Sequence, residues 1–130
     1  MSYCPSDLRY TKSHEWLREE GNDIVTVGVT DHAQAAMGDL VFVDLPDVGD
    51  TISEGDEIAV VESVKTAADV YSPMTGEIVA VNDELVETPE KVNTDPYGDG
   101  WLFQIKVDDA LKLSELLTAE EYQKQVEEEE

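Results

Sequence analysis

One lysine in this chain stands where covalent chemistry could be done on it. No other Lys or Arg occurs between Arg18 and Lys91, a stretch dense in Asp and Glu. Lys65 sits in Glu62-Ser63-Val64-Lys65-Thr66-Ala67. Two strand-like runs, residues 58–61 and 67–71, flank it closely enough to form a hairpin, which puts the lysine on an exposed turn. Most exposed lysines are solvated surface groups. Isolation, turn placement and symmetric flanking argue instead for a modification site. An ordinary ammonium, with a pKa of about 10.4, is mostly protonated at neutral pH. Acylation of Lys65 therefore needs an external enzyme that removes the proton and supplies an activated acyl donor.

The other reactive side chains make weaker constellations. His14 lies beside Glu15, which suggests acid–base work, but the sequence shows no nucleophile or metal partner for it. Cys4, His14 and His32 make a poor metal set, and structural roles for the histidines are expected. There is no glycine-rich phosphate loop or nucleophile–base pair, so an independent enzyme is not indicated. Trp16 and Trp101 read as core or rim aromatics.

Charge excludes further classes. With 31 Asp and Glu against 8 Lys and Arg, the formal net charge is −23. Such a surface repels nucleic acids and anionic membranes. It favours basic partner surfaces or a high-salt cytosol, where screening is stronger. A single cysteine rules out an intramolecular disulfide. No apolar run approaches the roughly 20 residues of a membrane span. The first ten residues have neither signal-peptide nor transit-peptide character. The expected location is a bacterial-type cytoplasm, or a mitochondrion only if a transit peptide has been removed.

The elements that must position Lys65 are mostly strands. Residues 15–20, the turn Gly21-Asn22-Asp23 and residues 24–29 read as a hairpin. Thr30 or Asp31 caps a short helix through Ala36, ended by Gly38. Residues 40–43 read as a buried strand, residues 58–61, 67–71 and 77–81 as further strands, and residues 101–107 as a late one. Asp108 or Asp109 caps a helix over residues 110–117. Thr118-Ala119-Glu120-Glu121 has capping-box spacing and opens another. The run 127–130 is expected to fray. A weak internal repeat with an offset of 27 residues pairs Val43 with Val70, Pro46 with Pro73, Gly49 with Gly76, Ile52 with Val79 and Asp56-Glu57-Ile58 with Asp83-Glu84-Leu85. The reading is a mainly β fold built as a pseudo-twofold sandwich. Its 130 residues form one domain, with a helical extension over 108–126 and an acidic tail over 127–130.

Glu62-Ser63-Val64-Lys65, Asp69-Val70-Tyr71-Ser72-Pro73 and Gly76-Glu77-Ile78-Val79 resemble the lipoylation region of the H protein family of the glycine cleavage system. Tyr10-Thr11-Lys12-Ser13-His14-Glu15-Trp16, Gly28-Val29-Thr30-Asp31-His32-Ala33-Gln34 and Gly38-Asp39-Leu40-Val41-Phe42-Val43-Asp44-Leu45-Pro46 look like its earlier segments. Val92-Asn93, Pro96-Tyr97 and Gly100-Trp101-Leu102 look like its late one. The resemblance implies a small barrel-sandwich hybrid that is a carrier, not an enzyme, with lipoate in amide linkage on Lys65. It implies that an aminomethyl unit passes from a pyridoxal-phosphate glycine decarboxylase to a tetrahydrofolate-dependent aminomethyltransferase. A flavin (FAD) dihydrolipoamide dehydrogenase then reoxidises the arm, and a lipoate-attaching enzyme installs it. By motif position Ser13, Glu15 and Asp69 would meet the amine of the loaded arm, and Glu62 and Gly76 would be read by the attaching enzyme, although Gly76 also suits an ordinary turn. A monomer is expected. Some relatives have histidine at the position of Ala36, a departure that bears on the arm-binding cleft. Lipoyl domains of 2-oxo acid dehydrogenases usually have Asp and Ala beside the lysine, where this chain has Val64 and Thr66. Biotin carriers usually have methionines there.

Overall fold

The computed structural model describes residues 5–129, so Cys4 and Glu130 lie outside the described residues. The chain forms β1 (Arg9–Tyr10), β2 (Glu15–Gly21), β3 (Ile24–Val29), α1 (Asp31–Met37), β4 (Leu40–Asp44), β5 (Thr51–Ile52), β6 (Glu57–Ser63), β7 (Ala67–Tyr71), β8 (Gly76–Val81), α2 (Glu84–Glu87), α3 (Lys91–Thr94) and β9 (Phe103–Val107). A 3₁₀ turn (Ala110–Glu115) and α4 (Ala119–Glu129) follow. One sheet has the order β1-β2-β3-β9-β8-β5 and the other β4-β6-β7. The fold is thus mainly β, as expected. The short pieces β1, β5, α2 and α3 are additions to the sequence reading.

Local chemistry sets the main turns and caps. Gly21, Asn22 and Asp23 have φ of 94°, 54° and 64°, the left-handed values that these residue types tolerate, and they reverse the chain between β2 and β3. Thr30 caps α1 by accepting from the Ala33 N–H at 3.2 Å. The helix ends at Gly38, φ 85°. The capping box is formed: Thr118 N–H donates to Glu121 Oε1 at 3.0 Å, and Glu121 N–H donates to Thr118 Oγ1 at 3.2 Å.

The faces of the two sheets bury a common core that includes Leu17, Val27, Val43, Val61, Val70, Ile78 and Phe103. A second cluster joins Leu8, Tyr10 and Trp16 to Tyr122 and Val126 of α4. The Tyr10 and Tyr122 rings stack with centroids 4.8 Å apart. Trp16 is fully buried, and its indole N–H donates to the Pro96 carbonyl at 3.0 Å. This satisfies the one polar atom of a large core aromatic. Trp101 packs at the edge of the same cluster.

Several expectations are revised in detail. β4 is only half buried. Leu40 and Val43 face the core, whereas Val41 and Phe42 are 56% and 47% exposed, since a register shift between Leu40 and Phe42 breaks the alternation. The late strand begins at Phe103, not Trp101. The helix expected over 110–117 is a 3₁₀ turn capped by Asp109, which accepts from the Leu111 N–H. It stops short because Leu117 pairs with Tyr10, with both N–H···O distances 2.9 Å. The acidic end does not fray within the described residues. α4 runs to Glu129, whose carboxylate lies 3.3 Å from His14. The 27-residue correspondence holds for Val43 and Val70, which are both buried on strands flanking β6, and for Ile52 and Val79 on the paired strands β5 and β8. It ends where Asp56-Glu57-Ile58 enters β6 but Asp83-Glu84-Leu85 opens α2. Gly49 and Gly76 also differ. Gly49 turns at φ 99°, whereas Gly76 begins β8.

Candidate functional site: a lysine-bearing hairpin and a carboxylate cleft

β6 and β7 pair antiparallel, with Glu62 opposite Ala67. Ser63 closes the turn. Its N–H donates to the Thr66 carbonyl at 2.8 Å, and its hydroxyl accepts from the Thr66 N–H at 3.2 Å. Val64 and Lys65 lie at the tip, both exposed, Val64 at 84%. The lysine is therefore held by a hydrogen-bonded backbone while its amine faces solvent. Its stem passes over Gly38. A Cβ on that glycine would sit 3.5 Å from Lys65 Cε. Asn93 fixes this floor by donating to the Gly38 carbonyl at 2.9 Å and accepting from the Leu40 N–H at 2.9 Å.

β7 leads away from the turn. Side chains at 67, 69 and 71 share one face of the strand, and Asp69 is exposed on it. From Ala67 to Tyr71 is about 13 Å at about 3.3 Å per residue. Tyr71 is one wall of a cleft of about 400 Å³. Residues 10–13 and Glu15, 54–55, 71–73 and 115–117 line it. Lys65 and Asp69 lie outside this lining, so of the three expected amine contacts the structure brings Ser13 and Glu15 together and leaves Asp69 on the approach.

Glu15 is only 2% exposed. Its Oε1 accepts from the hydroxyls of Thr11 and Ser13, both at 2.6 Å. Burial pushes its carboxyl pKa above the usual range, opposed by the Ser13 and Thr11 hydroxyls and a backbone hydrogen bond from Tyr71. Thr11 and Tyr71 escaped the sequence reading. The alternation of hydroxyl and carboxyl side chains at 11, 13 and 15 carried the signal for Thr11. Nothing local marked Tyr71, which comes from the other sheet.

The two expected recognition positions part company. Glu62 is half-buried on β6, next to the turn. Gly76 lies in the six-stranded sheet, between Ile52 of β5 and Val107 of β9. Its role is close approach, not a turn. A Cβ there would lie 2.2 Å from the Lys106 carbonyl oxygen and 2.8 Å from Ile105 Cγ2.

A family model described as glycine cleavage H-protein matches residues 8–129. The chain belongs to the glycine cleavage H-protein family. It is 62% identical over 123 residues to the glycine cleavage system H protein of Psychrobacter sp. (strain PRwf-1), covering 95% of this chain and 98% of that protein. With the H protein of Alteromonas mediterranea it shares 58% identity over 129 residues, covering 99% and 100%. The crystal structure of an H protein from Mycobacterium marinum superposes with a TM-score of 0.85 at 44% identity, covering 93% of this chain and 97% of that one. Members of this family are lipoyl carrier components of the glycine cleavage system, not catalysts. Among the described residues, no helix is long and apolar enough to cross a membrane.

Proposed function

We propose that Lys65 bears a lipoyl group in amide linkage and that this chain shuttles the aminomethyl unit from glycine decarboxylase to the aminomethyltransferase, then presents the reduced arm to dihydrolipoamide dehydrogenase. In this reading residues 1–130 act as one lipoyl-carrier domain, monomeric and cytoplasmic, with the helical extension over 108–126 and the acidic tail as parts of it. The observation that carries it is the exposed Lys65 at the tip of a turn closed by Ser63 and Thr66. An attaching enzyme can reach that amine without unfolding anything. When attached, the lipoyl group supplies a dithiolane whose reduction accompanies uptake of the one-carbon unit.

The chain's own residues then bind and protect. The cleft has apolar walls from Tyr10, Tyr71, Pro73, Leu116 and Leu117 and a carboxylate in its lining. That combination suits an apolar arm ending in an ammonium. Glu15 holds the ammonium as its counter-ion, and Thr11 and Ser13 keep the carboxylate aimed. Asp69 offers a second carboxylate along the approach from Lys65. Glu62 is the proposed contact for the attaching enzyme beside the turn. Gly76 contributes to recognition through the placement of β8.

The test is intact and peptide-level mass after incubation with lipoate, ATP and a lipoate–protein ligase, with a biotin ligase in parallel. A lipoyl adduct confined to Lys65 is expected. No adduct on folded protein would favour an interaction module instead, and biotin addition would point to another carrier class.

A further inference from the structure

A second polar cluster has no part in the cleft. His14 lies between Ser13 and Glu15 in sequence but has φ 72°, and its ring packs against α4. There it meets His32 from the first turn of α1, with ring centroids 5.0 Å apart, and Glu129 from the last turn of α4. One ligand atom from each of the three lies within 4.8 Å of the others. The residues come from widely separated parts of the chain, and only the docking of α4 brings Glu129 to the histidines.

One spacing, His14 to Glu129, matches that of two ligands on a shared cation, and the set, spread over up to 4.8 Å, must draw in to hold one. His14 Nε2 stands 3.3 Å from Glu129 Oε1. A charge-assisted N–H···O bond is about 2.7–2.9 Å long. Two donors on one tetrahedral zinc, each about 2.0–2.1 Å from the metal, lie roughly 3.3–3.4 Å apart. The ring is also oriented from behind. His14 Nδ1 lies 2.7 Å from the Tyr122 hydroxyl, which lies 2.7 Å from Thr30 Oγ1, the cap of α1. In the metal-bound tautomer Nδ1–H would donate to Tyr122 and Tyr122 to Thr30, leaving the Nε2 lone pair directed at the ion. A supported second nitrogen of this kind is what metal-binding imidazoles use to fix tautomer and direction.

We propose that His14, His32 and Glu129 form a binding site for a borderline divalent ion of the zinc class, with water completing a tetrahedron, and that the ion pins α4 to the start of α1 and to the segment carrying Glu15. Two imidazoles and one carboxylate select zinc-like ions over magnesium or calcium, which take oxygen ligands. Both histidines are partly exposed, and Glu129 is 44% exposed, so the ion can enter.

The test is a calorimetric zinc titration of the chelator-stripped full chain. Excess magnesium occupies the many surface carboxylates, and the Cys4→Ser variant runs alongside to remove thiol binding. One equivalent is expected in both proteins. Loss of affinity beyond the roughly 100-fold cost of losing an outer-shell partner is expected in His32→Ala and Glu129→Gln. Both variants should keep the parent circular dichroism spectrum, and cobalt should give tetrahedral visible absorption in the parent and in Cys4→Ser but not in these two variants. Unchanged zinc affinity in the two variants, binding that disappears with Cys4, or only weak multi-site binding displaced by magnesium would each overturn the site.

Discussion

At the scale of single residues, Lys65 and Glu15 carry separable consequences. Lys65→Arg keeps the positive charge and removes the acylatable amine. It is expected to abolish both lipoyl addition and activity in reconstituted glycine cleavage while leaving the unfolding midpoint unchanged. Retained activity would sink the carrier reading. Glu15 makes a pH prediction. Its pKa is raised above the 4.5 of a free side chain by burial, so the folded state holds this proton more tightly than the unfolded chain does. The group's contribution to stability is therefore greatest at low pH and declines as pH rises from 4.5 through the folded value. Glu15→Gln does not titrate. The stability difference between the two proteins, from urea unfolding across that window, should move in favour of the parent as pH falls. Docking of an ammonium into the cleft should show the opposite trend and weaken as Glu15 takes up its proton. Lys65 was legible because its isolation is written in the order of residues. Tyr71 was not, because its place in the cleft depends on how two sheets face each other.

At the scale of elements, glycine positions and caps decide what can change. Gly76→Ala puts a Cβ against the Lys106 carbonyl and is expected to cost about 1–3 kcal/mol through forced displacement of packed strands, read by urea unfolding. If the folded fraction of that variant is lipoylated at the parent rate, Gly76 acts by packing and not by direct recognition. Thr118→Ala removes half of the capping box and should cost about 1 kcal/mol, measured the same way. The hairpins and the α4 cap were readable because turn and capping residues act over three or four positions. The 3₁₀ turn was read as an α-helix because the pairing that ends it, Leu117 with Tyr10, spans more than 100 residues. The half-exposed face of β4 was read as buried because a register shift is invisible in a run of apolar letters.

At the scale of the whole molecule, charge dominates. A net charge of −23 on 130 residues makes the compact state repel itself. Among the described residues, the surface pairs Lys91 with Glu84 and Arg18 with Glu20 are of small individual value and relieve it little. Raising sodium chloride shortens the screening length from about 10 Å at 0.1 M to about 3 Å at 1 M, so the thermal midpoint should rise with salt. A flat or falling midpoint would mean that the acidic groups are spaced too widely to matter. The mainly β class was legible from turn spacing. The split into six and three strands was not, since it depends on which edges β1 and β5 extend.

The bridge between Tyr10 and Leu117 also bears on when the molecule becomes complete during synthesis. Residues 115–117 form one wall of the cleft and residues 10–13 with Glu15 another, so two segments far apart in the chain must both have left a ribosome before that cleft exists. The Lys65 hairpin needs only neighbours in sequence to close its own turn. A nascent chain can thus display the turn bearing the proposed attachment lysine while the cleft proposed to shelter its arm is still unmade. The proposed protection of a cargo can begin only once residue 117 has itself left the ribosome.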